Sequence, residues 1–149
     1  MEIEKKWLVD NLPDLTGIEM IQIRQGYLRT GDPEERIREK ISGGKMTYVR
    51  TIKSGSGLCR EETEVDITAA EFAAEWDKTA GHRIEKVRYK IPYNGLVIEL
   101  DIYGKNNTGL KVAEVEFAST SQASEFTPPE WFGQDVTKDA RYKNKNLAG

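Results

Sequence analysis

The 149-residue chain balances 22 Lys and Arg against 25 Asp and Glu, a net charge of -3, and 32% of its residues are charged. That balance excludes the basic excess of a nucleic-acid binder, and no apolar run reaches the ~20 residues of a membrane helix. A single cysteine, Cys59, and a single histidine, His82, exclude a disulfide framework and a Cys-rich zinc site, and supply His-based zinc sites and Ser-His-Asp triads poorly.

The length fits one domain, residues 1–149. With a mean hydropathy of -0.63, either the core is compact or a charged site is large. Any metal should be a hard cation held by carboxylates, Mg²⁺ or Mn²⁺ first. The start, Met1-Glu2-Ile3-Glu4-Lys5-Lys6, is not a signal peptide, so the expectation is a cytoplasmic chain with no membrane partner.

In chain order, short period-2 segments broken by Gly, Pro and Asn predict antiparallel strands. Residues 2–9 alternate, with Glu2, Glu4 and Lys6 on one face. Residues 18–29 are extended. Gly31-Asp32-Pro33 turns into a strand opening at Arg36-Ile37-Arg38, and Ser42-Gly43-Gly44 leads into a return from Met46 to Lys53. Ser54-Gly55-Ser56-Gly57 predicts the next hairpin, followed by Arg60, Glu62 and Glu64 on one face. Thr68-Ala69-Ala70-Glu71 is a capping box that opens a helix over about 69–79, with Phe72 and Trp76 four apart on its buried side. Residues 83–92 and 96–103 flank Asn94-Gly95, a tight-turn dipeptide. Residues 111–118 carry Glu114 and Glu116. A short helix near 121–126, the Pro128-Pro129 break and a tail helix after Thr137 complete the chain. The three tryptophans, Trp7, Trp76 and Trp131, read as outer packing anchors. About eight strands joined by consecutive hairpins fit a barrel or a strongly curved sheet.

Six strands place ionisable residues at i and i+2, which point to the same side. Each strand alone fits an ordinary solvated face. Together the charges group by type, with acidic pairs on four strands and basic pairs on two, and solvation does not require that grouping. Adjacent carboxylates repel unless a cation sits between them, and Arg and Lys opposite them would hold phosphate oxygens. The pattern therefore implies a site with a metal on one wall and a small polyanion on the other.

The ordered set Glu2-Ile3-Glu4-Lys5-Lys6, Arg36-Ile37-Arg38, Thr51-Ile52-Lys53, Arg60-Glu61-Glu62-Thr63-Glu64, Glu85-Lys86-Val87-Arg88-Tyr89, Glu99-Leu100-Asp101 and Ala113-Glu114-Val115-Glu116-Phe117 resembles the CYTH superfamily, the triphosphate tunnel metalloenzymes. The chain looks closest to the short bacterial single-domain members. The resemblance covers the whole chain, including the tail from Asp135 to Ala148. It implies an eight-stranded antiparallel barrel with an inward charged lining, a dependence on Mg²⁺ or Mn²⁺, a small-molecule triphosphate substrate and compatibility with a homodimer. It implies Glu2, Glu4, Glu114 and Glu116 as metal carboxylates. Lys6, Arg36, Arg38, Lys53, Arg60, Lys86 and Arg88 match its substrate-binding bases. Glu62, Glu64 and Asp101 would hold a second ion, orient water or balance the basic wall. A lysine–tyrosine pairing seen in some short members maps to Lys6 and Tyr27 and goes with inorganic triphosphate. Arg141 fits either the tunnel mouth or a surface salt bridge. Hydrolysis of inorganic triphosphate to diphosphate and phosphate is the first expectation. The alternatives are an adenylate cyclase, a broader nucleoside or thiamine triphosphatase, and a non-catalytic polyphosphate-binding module.

Overall fold

The alternating segments fold as strands, seen in a computed structural model that describes residues 2–55 and 59–149, apart from the side chains of Glu2 and Cys59. The strands are β1 (Glu2–Val9), β2 (Glu19–Arg29), β3 (Glu34–Ser42), β4 (Lys45–Ser54), β5 (Cys59–Asp66), β6 (Arg83–Tyr93), β7 (Leu96–Tyr103), β8 (Lys111–Phe117) and β9 (Phe132–Asp135). The helices are α1 (Ala69–Trp76), α2 (Thr120–Glu125) and α3 (Asn144–Leu147). Asn94 and Gly95 both take positive φ, 49° and 78°, as a two-residue hairpin between β6 and β7 requires. The tip of the hairpin expected at Ser54–Gly57 lies outside the described residues.

The closed eight-stranded barrel is not what forms. Among the described residues the strands make one nine-stranded antiparallel sheet in the order β5-β4-β3-β2-β6-β7-β8-β1-β9. The sheet curls until β1 meets β5, among the described residues through Glu2↔Arg60 and Ile3↔Cys59. The reason lies on β1. One of its edges pairs with β8 from Ile3 to Leu8, while β9 occupies part of the other edge at Trp7↔Asp135 and Val9↔Phe132. Closure would give that edge to β5. Strand β9 escaped the sequence reading because Phe132-Gly133-Gln134-Asp135 has no apolar alternation.

Helix α1 is shorter than expected, ending at Trp76 and tightening into a 3-10 turn over Asp77–Thr79. Its capping box is complete: Glu71 N donates to Thr68 Oγ1 and Thr68 N donates to Glu71 Oε1, both at 3.0 Å. Phe72 is buried against Tyr48 and Trp76, with ring centroids 5.2 and 5.1 Å away.

The apolar core sits largely outside the curl. Ile3, Trp7, Ile98, Leu100, Val115 and Phe117 on β1, β7 and β8 are covered by Ala123 of α2 and by Phe126, Trp131 and Phe132. Trp7 packs in tilted contact with Phe132 and Phe126, ring centroids 4.8 and 5.4 Å away, as a packing anchor. Each fully buried aliphatic side chain contributes roughly 1.5–3 kcal/mol. With one face of β1, β7 and β8 bonded into this core, strand alternation sends their charged residues to the inside of the curl.

Candidate functional site

Inside the curl lies a cavity of about 180 Å³ lined almost wholly by ionisable side chains. Strand β3 contributes Glu34, Arg36, Arg38 and Lys40, and β4 contributes Lys53. Strands β1 and β8 contribute Glu4, Lys6, Glu114 and Glu116, while Arg60, Glu62 and Glu64 come from β5, Arg88 from β6 and Tyr27 from β2. Arg36, Arg38, Lys53 and Arg88 are each about 6% exposed, so the basic side is sunk rather than solvated.

The charged space ends in an apolar floor. On five strands the next inward residue at the same end is uncharged: Leu8 after Lys6, Tyr27 after Gln25, Ile84 before Lys86, Tyr103 after Asp101 and Val112 before Glu114. These pack together with Leu147 and Ala148 at the C-terminal end. The tail also overlies the cavity. Lys6 Nζ donates to the Tyr142 carbonyl at 2.8 Å, and Tyr103 donates to Asn144 Oδ1.

The acidic side is built by register. Glu4 stands directly opposite Glu116, and Lys6 opposite Glu114. Glu99 faces Glu114 on the other side of β8. Like charges at paired positions destabilise a sheet unless a cation relieves them. Lys6 supplies part of that relief, 3.5 Å from Glu114 Oε1, and Arg60 Nη2 lies 3.4 Å from Glu4 Oε1. Burial pushes the Glu114 carboxyl up, but Lys6, Lys86 and Arg88 outweigh it and hold it well below the ordinary range. Its Oε1 is buried without a hydrogen bond.

The basic side shows the converse. Arg36 Nε is buried without a hydrogen-bond partner, and the ion pair of this guanidinium with Glu34 is loose at 4.0 Å. Burial pulls the Arg38 guanidinium down, and Arg36 and Arg88 beside it add to this, to about 10. Arg38 Nε donates to Gln25 Oε1 at 3.0 Å, and Gln25 Nε2 donates to the Tyr27 hydroxyl at 2.8 Å. Burial raises the Tyr27 phenol above its usual value, and Arg36 opposes that rise.

Two expected site residues lie behind the lining. Lys86 and Asp101 are not on the cavity wall, and both side chains have no exposure. Arg88 grips Asp101 through two parallel bonds of 2.8 and 2.9 Å. Lys86 Nζ sits 2.8 Å from the same carboxylate as an ion pair that makes no directed hydrogen bond. Asp101 is thus the anchor of Arg88, which reaches the cavity. The Glu2 side chain lies outside the described residues. Arg141 is a surface residue clasping Asp139 at 2.7 Å. Glu34 and Lys40 were missed, although they continue the Arg36/Arg38 spacing by two residues each way. Gln25, Tyr142 and Asn144 carried no charge pattern to mark them.

The carboxylate oxygens of Glu4, Glu114 and Glu116 are the donor type that Mg²⁺ or Mn²⁺ takes. The opposed glutamates and the Glu114 oxygen that makes no hydrogen bond fit a cation on this wall. Among the described residues no three Asp, Glu, His or Cys side chains are already gathered as a ligand set. No helix of the described residues is long and apolar enough to cross a membrane.

No family model matches the chain. It is 43% identical to an inorganic triphosphatase of Nitrosomonas europaea over 99% of this chain and 96% of that protein. It is 32% identical to an inorganic triphosphatase of Acetivibrio thermocellus over 98% of this chain and 92% of that one. A crystal structure of an inorganic triphosphatase superposes with a TM-score of 0.73 at 40% identity, covering 99% of this chain and 94% of the other. A putative adenylyl cyclase from Hippeastrum with dominant triphosphatase activity superposes at 0.60 with 18% identity, covering 83% of each chain, and that likeness concerns the fold alone.

Proposed function

The chain belongs to the inorganic triphosphatase family, and from that premise we propose that it hydrolyses inorganic triphosphate to diphosphate and phosphate in the charged cavity, as a CYTH-type enzyme dependent on Mg²⁺ or Mn²⁺. The observation that carries this reading is a pair of unsatisfied buried atoms on two walls. Arg36 Nε is a donor without a hydrogen-bond acceptor, and Glu114 Oε1 makes no hydrogen bond, only a 3.5 Å ion pair with Lys6. Leaving such groups unsatisfied costs roughly 1–3 kcal/mol each. An anion beside Arg36 and a cation beside Glu114 would remove both costs. The cavity, about 180 Å³, is smaller than the ~300–1,000 Å³ of pockets for drug-sized ligands, which favours a bare phosphate chain over a nucleotide.

Arg36, Arg38, Lys53, Arg60 and Arg88 would bind the phosphate oxygens. Arg does so through its planar fork and Lys through a point charge. Lys6 and Tyr27 would flank the same chain. Glu4, Glu114 and Glu116 would hold the divalent ion, which when bound neutralises phosphate charge and favours attack by water. Glu62 and Glu64, also on the lining, would orient the water. In the reaction the water oxygen bonds to a terminal phosphorus. The bond from that phosphorus to its bridging oxygen breaks, its electron pair leaves with diphosphate, and the proton of the water passes to a carboxylate or to solvent. Most of the work is positioning and charge stabilisation.

The test is phosphate release from triphosphate, ATP, GTP and thiamine triphosphate with each metal, and with excess EDTA. Fastest release from triphosphate, abolished by EDTA, is the expected result. Glu4→Gln and Glu116→Gln should each lose most of the rate while remaining folded. Wild-type rates in both variants would sink the metal assignment, and cyclic AMP formed from ATP would shift the reaction class.

A further inference from the structure

We propose that Gln25 is a positioning residue for this reaction, which turns the hydroxyl hydrogen of Tyr27 toward the cavity. The inference rests on the reading of Tyr27 as part of the reacting site. Gln25 is fully buried, on the inward face of β2 two residues before Tyr27. Its amide orientation follows from its partners. The Arg38 guanidinium can only donate, so the atom receiving Arg38 Nε at 3.0 Å is the amide oxygen. The amide nitrogen therefore faces Tyr27 and donates to its hydroxyl at 2.8 Å.

That bond decides what the phenol can do. Its oxygen is occupied as an acceptor from Gln25, and Arg36, whose guanidinium can only donate, stands directly opposite Tyr27 across the β2–β3 pairing. Neither neighbour can accept a hydrogen. Among the described residues no hydrogen bond takes the Tyr27 proton, and Tyr27 lines the cavity. The O–H is therefore left to donate to a phosphate oxygen. The run Arg38 to Gln25 to Tyr27 to phosphate points every donor the same way, and such chains strengthen each bond along them. A buried neutral amide placed only to fill space would need no such alignment.

Two substitutions separate positioning from packing. In Gln25→Glu the side chain keeps its shape and its Arg38 partner, but a carboxylate can only accept, so it captures the phenol proton. In Gln25→Leu the donor to the phenol is simply lost. Each is made in the native chain and in Tyr27→Phe, with triphosphate hydrolysis and thermal unfolding measured. Each change should lower kcat about tenfold in the native chain and by less than about twofold in Tyr27→Phe. In Gln25→Glu the unfolding temperature should hold, so the test survives even if Gln25→Leu fails to fold. Equal losses in both backgrounds, or an unchanged kcat in folded Gln25→Glu, would overturn the proposal. A native kcat in Tyr27→Phe alone would instead remove Tyr27 from the reaction, and the inference with it.

Discussion

Lys86 Nζ and Asp101 Oδ2 stand 2.8 Å apart with both side chains wholly shut off from solvent. Arg88 holds both oxygens of the same carboxylate, so one anion serves two buried cations. Removing it leaves Lys86 without its ion-pair partner and Arg88 with Glu99 at 3.3 Å, and breaking such a pair costs about 3–5 kcal/mol. Asp101→Asn should lower the unfolding temperature by roughly 10 °C, at ~2–4 °C per kcal/mol for a chain of this size. It should also raise KM for triphosphate, because Arg88 loses its anchor. A melting curve within a degree or two of the native one would refute the anchoring role.

The same pair makes stability depend on pH. Burial pushes the Lys86 ammonium down to about 7; Asp101 opposes this, and Arg88 adds to it. An unfolded lysine titrates near 10.4. Between these values the unfolded chain binds a proton that the folded chain does not, so this term makes stability rise with pH. Below about 7 both states are protonated and the full penalty of burying the charge remains. Urea unfolding from pH ~7 to ~10 should show the native chain gaining a few kcal/mol relative to Lys86→Met. Parallel pH curves for the two proteins would count against a depressed Lys86.

Glu4 and Glu116 make opposite predictions for stability and activity. They face each other across β1 and β8, so removing one charge relieves repulsion of roughly 0.2–1 kcal/mol. Without divalent cation, Glu116→Gln should unfold at the native temperature or slightly above it. With Mg²⁺ or Mn²⁺ the native chain should be stabilised and the variant much less so, following ligand linkage. Equal metal-induced shifts in calorimetry would show that the ion sits elsewhere.

Gly26 lies between Gln25 and Tyr27, and a Cβ there would fall 2.4 Å from Thr79 Oγ1 and 2.6 Å from Thr79 Cβ. Thr79 cannot yield easily, because its hydroxyl accepts from Arg83 Nε and donates to the Trp76 carbonyl. Gly26→Ala should cost about 1–3 kcal/mol by overpacking and should displace Tyr27, lowering kcat as well. Denaturant unfolding with no loss of stability would show that β2 can shift at this point.

Strand alternation is a local property, so its consequences were legible in the chain. Glu4, Lys6, Arg36, Arg38, Lys53, Glu62, Glu64, Arg88, Glu114 and Glu116 share an inward face because side chains repeat every two residues whatever the strand pairs with. The capping box of α1 and the Asn94-Gly95 turn are local in the same sense. Depth is not. Lys86 and Arg88 have the same spacing and the same charge, yet only Arg88 reaches the cavity.

Amino-acid order alone therefore determined which residues share a face, the grouping of their charges and the family to which the chain is similar. Tertiary structure decided how far each inward residue sits from the apolar floor, because that depends on register across β6, β7 and β8. It decided that β9 takes part of the β1 edge and leaves β5, among the described residues, two pairs of contact with β1, since competition for backbone donors and acceptors leaves no periodic trace. It also brought Gln25 between Arg38 and Tyr27, a partnership across the β2–β3 pairing that a neutral side chain cannot announce.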